Sequence, residues 1–251
     1  MKFIKIKTKA LIPPKDDIYI VLDKIKNIKD GDVLLITSKV LSIHQGRCVK
    51  ISPKVNKLDL IKKETGNLVI LDHLAMGNFY LTIKNDVLAF SAGIDESNAN
   101  GYYVLLPKNI NRLLKEIRAY LINKFKIKRL GLIATDSHSY PLRRGTLGIS
   151  VGFFGIQPQK NYIGKPDIFG RALKYTKTNI VDALAAIAVH LMGEGNERVP
   201  IIIVRGADVQ FTNKATYQKI VMPRKKDLFY PMLKIFEQKS GKTKRTLKRT
   251  G

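Results

Sequence analysis

The sequence predicts a protein of mixed α and β class. Three observations carry that reading: apolar runs of strand length are separated by Gly, Asn and Asp, longer stretches repeat apolar residues at helical spacing, and no segment repeats another. Met1 to Lys7 alternates charge with hydrophobe. Asp16 to Ile28 carries Ile18, Val21, Leu22 and Ile25 on one helical face, with Asp16 or Asp17 suited to its start, and predicts a short amphipathic helix. After the turn Lys29-Asp30-Gly31-Asp32, the run Val33 to Ile36 predicts a buried strand that delivers Thr37-Ser38-Lys39 at its end. Residues 54–65 predict a helix, and apolar runs at 68–71, 79–83, 87–92 and 102–106 predict strands with tight connections.

Asn109 to Phe125 predicts a helix with Leu113, Leu114, Ile117, Tyr120 and Leu121 on its apolar face. It leads into a strand over 129–134 that ends at Thr135-Asp136-Ser137. Between Gly145 and Gly155, alternation predicts a strand with Leu147, Ile149, Val151 and Phe153 on one face. Gly148, Ser150 and Gly152 fall on the other, where missing side chains let a backbone or ligand come close. Alanine-rich Val181 to Met192 predicts a helix ending near Gly193, Pro200 to Val204 a buried strand, and Asp227 to Glu237 a last helix.

A chain of 251 residues, 45% hydrophobic, is long enough to bury a core over 1–238, as one unit or two intimately joined subdomains. No stretch approaches the roughly 20 apolar residues that span a bilayer, and the N-terminal alternation is not a signal-peptide core. The expected location is the cytoplasm. The one cysteine, Cys48, excludes an intrachain disulfide and any multi-cysteine metal site. The formal charge of +25 raises the question of nucleic acid. Yet 33 of the 45 basic residues are lysines spread along the chain, not gathered with aromatics on one element, so no dedicated nucleic-acid surface is expected. Residues 239–251 form a basic, apolar-poor tail, read as disordered and able to touch RNA or a membrane surface without specificity.

No G-x-x-x-x-G-K-[ST] phosphate loop occurs. The string Gly193-Glu194-Gly195-Asn196-Glu197-Arg198 follows a helix instead of a strand and lacks the third glycine of a dinucleotide site. His44, His73, His138 and His190 lie far apart in sequence, which argues against zinc. What stands out is carboxylates that follow apolar runs: Val87 to Ile94 leads into Asp95-Glu96-Ser97-Asn98, and 129–134 leads into Asp136-Ser137. Two aspartates from separate strands would supply the oxygen ligands that magnesium or manganese needs. On spacing alone the plainer reading is favoured, that both cap turns or helix starts.

Taken together, several blocks resemble the coenzyme F420-0:L-glutamate ligases, the γ-glutamyl ligases of a deazaflavin cofactor. The blocks are Gly31 to Ser42 (G-D-V-L-L-I-T-S-K-V-L-S), Ser91 to Asn98 (S-A-G-I-D-E-S-N), Asp136-Ser137 with Arg143-Arg144-Gly145, and Gly164 to Leu173 (G-K-P-D-I-F-G-R-A-L). They continue through Asp182 to Ala185, Met192-Gly193-Glu194 and Pro200 to Gly206. Each is weak alone, but together they follow the family's order from about residue 31 to residue 206.

The resemblance implies an α+β fold of mixed and antiparallel sheets with packed helices, seen as an intertwined homodimer. Carried over residue by residue, it implies that Asp95 and Asp136 are the catalytic carboxylates and bind a divalent ion, magnesium or manganese, while Ser137 and Glu194 help hold a second. Ser38, Lys39, Asn98, Gly193, Glu194 and Gly195 would contact nucleotide, GTP by resemblance, with a monovalent cation as a further ion. Arg143 and Arg144 are candidates for phosphate or the carboxylates of L-glutamate. The implied reaction phosphorylates the carboxylate of a small-molecule acceptor, and the amine of glutamate then attacks the acyl phosphate. Two departures stand out: Ser137 to Arg143 reads S-H-S-Y-P-L-R where the family carries T-F-G-R-P-W-R, and Ile43 replaces a lysine. They leave open a folate γ-glutamyl ligase, or a non-catalytic binding protein that keeps the fold.

Overall fold

The computed structural model describes residues 1–71 and 79–237. His73 and the expected basic tail lie outside them. The chain divides into two compact units, Met1–Arg47 with Pro107–Ile220, and Cys48–Leu106 with the segment from Val221.

The first unit begins with strand β1 (Lys2–Ile6), the single-turn helix α1 (Tyr19–Leu22), β2 (Asp32–Thr37) and α2 (Ser38–His44). The chain then builds most of the second unit: β3 (Cys48–Lys50), α3 (Lys57–Glu64), β4 (Leu68–Leu71), β5 (Phe79–Lys84), β6 (Val87–Phe90) and β7 (Tyr102–Val104). It returns to the first unit with α4 (Ile110–Phe125), β8 (Leu130–Ser139), β9 (Thr146–Phe154), the short pair β10 (Gln159–Asn161) and β11 (Lys177–Asn179), α5 (Ile180–Met192) and β12 (Ile201–Arg205). Helix α6 (Tyr230–Leu233) follows in the second unit.

The first unit is a five-stranded sheet in the order β1-β12-β2-β8-β9. Only β2 and β8 run parallel, with Thr37 opposite Thr135, and the other neighbours are antiparallel. Strand β2 is apolar at every position from Val33 to Ile36 because both its faces are covered. Leu34 and Ile36 pack with Leu114, Ile117 and Leu121 of α4 and with Ile18 and Leu22. Val33 and Leu35 pack on the opposite face with Val181, Leu184 and Ala188 of α5. At the head of β2, buried Asp32 accepts hydrogen bonds from Arg205 Nε at 2.9 Å and Nη2 at 2.8 Å, which locks β12 to β2.

A β-bulge interrupts the β8–β9 ladder: Ala134 faces Gly152 but Thr135 faces Ser150, leaving Val151 as the extra residue. This changes the alternation expected for β9. Val151 and Phe154 enter the α4 side of the core, and Phe153 enters the α5 side. Each side of the bulge is held by a helix. Asp182 Oδ1 of α5 accepts from the Ser150 N–H at 2.9 Å, and Asn111 Oδ1 of α4 accepts from the Phe153 N–H at 2.9 Å. The two strand glycines admit these helices: a Cβ at Gly148 would lie 2.2 Å from the Ala185 carbonyl oxygen, and one at Gly152 would lie 2.1 Å from Ile110 Cγ2.

Strand β8 also runs further than its apolar run suggests, to Ser139, so Asp136 and Ser137 lie inside a strand and not at its end. Pairing with β9 supplies ladder hydrogen bonds that hydropathy cannot reveal. The helix expected over Asp16 to Ile28 shrinks to one turn. Ile18, Val21, Leu22, Ile25 and Ile28 are all buried as the spacing implies, but Lys24 and Ile25 donate to carbonyls only three residues back, in turns rather than a continuing α-helix. The helix expected over Asp227 to Glu237 is likewise one turn followed by a 3-10 segment, Lys234–Glu237. Lys2–Ile6 is an edge strand paired to β12.

In the second unit β4, β5 and β6 form an antiparallel sheet and β3 pairs with β7. Ile61 of α3, Ala92, Ile94 and Leu105 make its core. The buried Thr82 hydroxyl donates to the Ala89 carbonyl at 2.7 Å and accepts from the Ala92 N–H at 2.9 Å. It thereby holds the turn Ser91–Gly93, whose Ser91 and Ala92 have positive φ, ahead of Asp95. Together the two units realise the expected α+β class with mixed and antiparallel sheets.

Asp30 ties the turn before β2 to the start of β8. Its carboxylate accepts from the backbone N–H groups of Arg129 at 2.6 Å and Lys128 at 2.8 Å and from Arg129 Nε at 2.8 Å. These bonds, the Arg129 N–H first, lower its pKa from 3.8 to about 2. A lowered carboxylate pKa stabilises the fold above the unfolded value, and the contribution disappears as pH falls through the folded one. Acid unfolding of Asp30→Asn is therefore expected to show a shallower loss of stability between pH 4 and 2 than the wild type, followed by denaturant titrations across that range.

Candidate functional site

The candidate site of the first unit is built where β2 ends beside β8, which itself runs on to Ser139. Because β2 and β8 are parallel, residues just past Thr37 and Thr135 emerge at the same edge of the sheet, the end at which parallel strands present ligand-binding groups. Ser38 opens α2 and is buried, and its hydroxyl donates to Asp136 Oδ1 at 3.0 Å across 98 residues of sequence. Asp136 is thus no turn cap: its carboxylate is oriented by a side chain from the neighbouring strand's helix.

Ser137 follows directly, and successive strand residues point to opposite faces. The Ser137 hydroxyl donates to Glu194 Oε2 at 3.0 Å, and the Thr146 hydroxyl donates to Glu194 Oε1 at 3.3 Å. Glu194 is delivered by the end of α5, where Gly193 closes the helix with φ +78°. The backbone there, φ +78° and ψ 170°, is one that glycine adopts and other residues rarely do, and the Glu197 carboxylate, which accepts from the Gly195 N–H at 2.9 Å, lies against it. Thr146 and Glu197 belong to this arrangement and were not singled out from the sequence. The Glu197 spacing two residues beyond Gly195 was visible, whereas Thr146 reaches Glu194 only through the β8–β9 pairing.

The other candidates fall as follows. Lys39 is half-buried in the first turn of α2. Ile43, at the position of the expected lysine, is buried at 3% exposure, so in this chain it packs instead of facing a ligand. Arg143 and Arg144 are exposed in the turn between β8 and β9. Asp95 and Asn98 belong to the second unit. There Asp95 Oδ1 accepts from the Ser97 N–H at 2.8 Å and Oδ2 from the Ser97 hydroxyl at 2.9 Å, the turn-forming role that spacing alone favoured.

His138, next on β8 after Ser137, has its pKa lowered by burial against an opposing pull from Asp182. Burial pushes the Asp182 carboxyl up, and its hydrogen bonds to the Ser150 N–H and Asn179, with the charge of His138, draw it back. Asp182 is therefore the partly buried acceptor on which the bulge beneath Asp136 and Ser137 depends. Asp182→Ala is expected to cost about 1–3 kcal/mol through the unsatisfied Ser150 N–H, and Asp182→Asn, which keeps one acceptor oxygen, to cost less; urea denaturation measures both.

The side chains of these contacts offer only oxygen: the carboxylates of Asp136, Glu194 and Glu197 and the hydroxyls of Ser38, Ser137 and Thr146. No group of three or more His, Cys, Asp or Glu able to hold a metal is present among the described residues. Oxygen donors in ones and twos suit a hard cation that keeps water and takes its remaining ligands from substrate phosphates, which is how magnesium is usually held, and do not suit zinc. Among the described residues no helix is long and apolar enough to cross a membrane.

Comparison with known proteins defines the class first: this is an amide-forming ligase of the acid–amino-acid type. The family model described as F420-0:Gamma-glutamyl ligase matches residues 5–206, and the chain belongs to that family. The Coenzyme F420:L-glutamate ligase of Methanocaldococcus jannaschii is 37% identical over 216 residues, covering 80% of this chain and 86% of the relative. The protein of the same name from Archaeoglobus fulgidus is 28% identical over 240 residues, with 89% and 94% covered. That of Methanosarcina mazei is 26% identical over 254 residues, with 95% and 100% covered.

Proposed function

We propose that this protein joins L-glutamate to a carboxylate of coenzyme F420-0 with GTP as the energy source, working in the cytoplasm as a homodimer. The observation that carries the reading is the pair of oriented carboxylates, Asp136 with Ser38 and Glu194 with Ser137, on β8 and the end of α5 beyond the end of β2, in a chain of this family.

The chemistry calls for such groups. An ionised carboxylate resists attack by an amine because its negative charge is delocalised over both oxygens. Transfer of the γ-phosphoryl group of GTP to an acceptor oxygen forms an acyl phosphate and releases GDP. The glutamate amine then attacks the carbonyl carbon, the C–O bond to phosphate breaks, and an amide, inorganic phosphate and a proton result. Asp136 would hold one magnesium or manganese ion and Ser137 with Glu194 would help hold a second; Asp95, in the second unit, is a further candidate ligand. Bound there, divalent ions would neutralise charge that develops on phosphate oxygens. Ser38 keeps the Asp136 carboxylate in place, and Gly193, Glu194 and Gly195, in the turn held by Glu197, are the expected nucleotide contacts. Lys39, Arg143 and Arg144 are the cations for phosphate and substrate carboxylates, and Asn98 is a further nucleotide contact.

Incubation with GTP, manganese, L-glutamate and coenzyme F420-0 should yield an acceptor heavier by one glutamyl residue, detected by mass spectrometry. Asp136→Asn should lower the rate on the order of 100-fold or more, as losses of charge-stabilising groups do. Tetrahydrofolate run in parallel should give no product; glutamylation of it alone would shift the acceptor to folate. No product with any nucleotide or acceptor would overturn the ligase reading for this chain.

Support for a homodimer comes from the loop between β10 and β11, where Ile168, Phe169 and Tyr175 are 91%, 89% and 87% exposed. Neighbouring apolar side chains left this open in one chain are what a partner copy would cover. Ile168→Asp with Phe169→Asp is expected to halve the mass measured by light scattering at a concentration where the wild type is dimeric.

A further inference from the structure

Apart from the oxygen cluster, the first unit carries a pocket of about 600 Å³ beside the β10–β11 pair. Lys160, Lys165, Lys177 and Lys219 all line it, against a single carboxylate, Asp208. Lys160 pairs with Asp208 at 2.6 Å, and Lys219 Nζ donates to the Gln157 side-chain oxygen at 2.8 Å. Lys165 and Lys177 make no ion pair among the described residues. Three of the four ammonium groups therefore have no counter-charge in the pocket.

The lysines are also arranged. Lys160 and Lys177 come from paired strands, with Lys160 opposite Thr178 and Lys177 opposite Asn161. The Tyr162 ring carries the Lys160 and Lys165 ammonium groups at 5.8 and 5.6 Å from its centre, which limits where those flexible chains point. Most of the remaining lining is amide side chains, with Ile180 and Pro158 the apolar exceptions, so an apolar ligand would find little to bury. Like charges gathered in a concave site repel one another, and that repulsion is relieved by a bound anion with several charges.

We propose that this pocket is a second ligand site, one that takes a small polyanion carrying two or more phosphate or carboxylate groups. Lysine suits both groups as a mobile point charge, in contrast to the fixed fork of arginine. The site is distinct from the Ser38–Asp136 and Ser137–Glu194 pairs, and none of their residues lines it. The inference does not rest on the ligase reading, because its probes need neither nucleotide nor glutamate.

The test is isothermal titration of the full chain with inorganic pyrophosphate and, separately, citrate at low salt. At least one probe is expected to bind wild type, and Lys165→Glu combined with Lys177→Glu to weaken that binding on the order of tenfold or more, with affinity falling as salt is raised. Measuring the difference between wild type and variant separates this pocket from any other anion site. Binding of pyrophosphate alone identifies a phosphate-bearing ligand, and binding of citrate alone a carboxylate-bearing one. Both lysines lack ion pairs, so the variant should keep the wild-type Tm; if it does not fold, Lys165→Gln with Lys177→Gln takes its place with a smaller expected loss. Failure of both probes to bind wild type, or equal affinity in wild type and the folded variant, would overturn the site.

Discussion

The parallel pairing of β2 with β8 is the constraint on which the candidate site depends. Two parallel neighbours must start at the same edge, so the chain has to travel back after β2, and here it does so through the second unit and α4. The return places Thr37 beside Thr135, and the next residue on each chain supplies half of a hydrogen bond: Ser38 donates and Asp136 accepts. Neither residue could be oriented by its own sequence neighbours in this way. The ion pair of Asp32 with Arg205 at the other end of β2 holds the same central strand to β12, so its register is held from both directions.

The bulge in the β8–β9 ladder governs the second half of the site. An inserted residue leaves a backbone N–H without a ladder partner, and such a group must find an acceptor when buried. Asp182 and Asn111 provide acceptors from helices on opposite faces, and Gly148 and Gly152 remove the side chains that would hold those helices away. Close approach of α5 then brings Glu194, just past the Gly193 that ends the helix, to Ser137 and Thr146. A sheet defect, two glycines and a helix end are thus one device for presenting a carboxylate.

Legibility followed length and burial. The helix at Ile110–Phe125 was plain because its apolar face recurs over several turns, and Ile180–Met192 because alanine favours helix and Gly193 ends it. Ile18 through Ile28 showed the right buried residues but the wrong backbone, since turns can bury the same side chains that an amphipathic helix would. Alternation over 145–155 identified β9, yet one bulge moved Phe153 to the opposite face from Val151, an event that no hydropathy pattern records. Asp136, Ser137 and Glu194 stood out through their likeness to family blocks, whereas Thr146 had no local signal at all.

The sequence by itself determined the mixed class, the long helices, the buried central strand and, through ordered motifs, membership in a ligase family. Those properties are local: they follow from side-chain periodicity, backbone freedom and residue identity within short windows. Only the tertiary structure decided which hydroxyl meets which carboxylate, where β8 stops, and that four lysines scattered from 160 to 219 share one pocket. Such juxtapositions depend on strand order and register, which are fixed by packing between residues tens of positions apart.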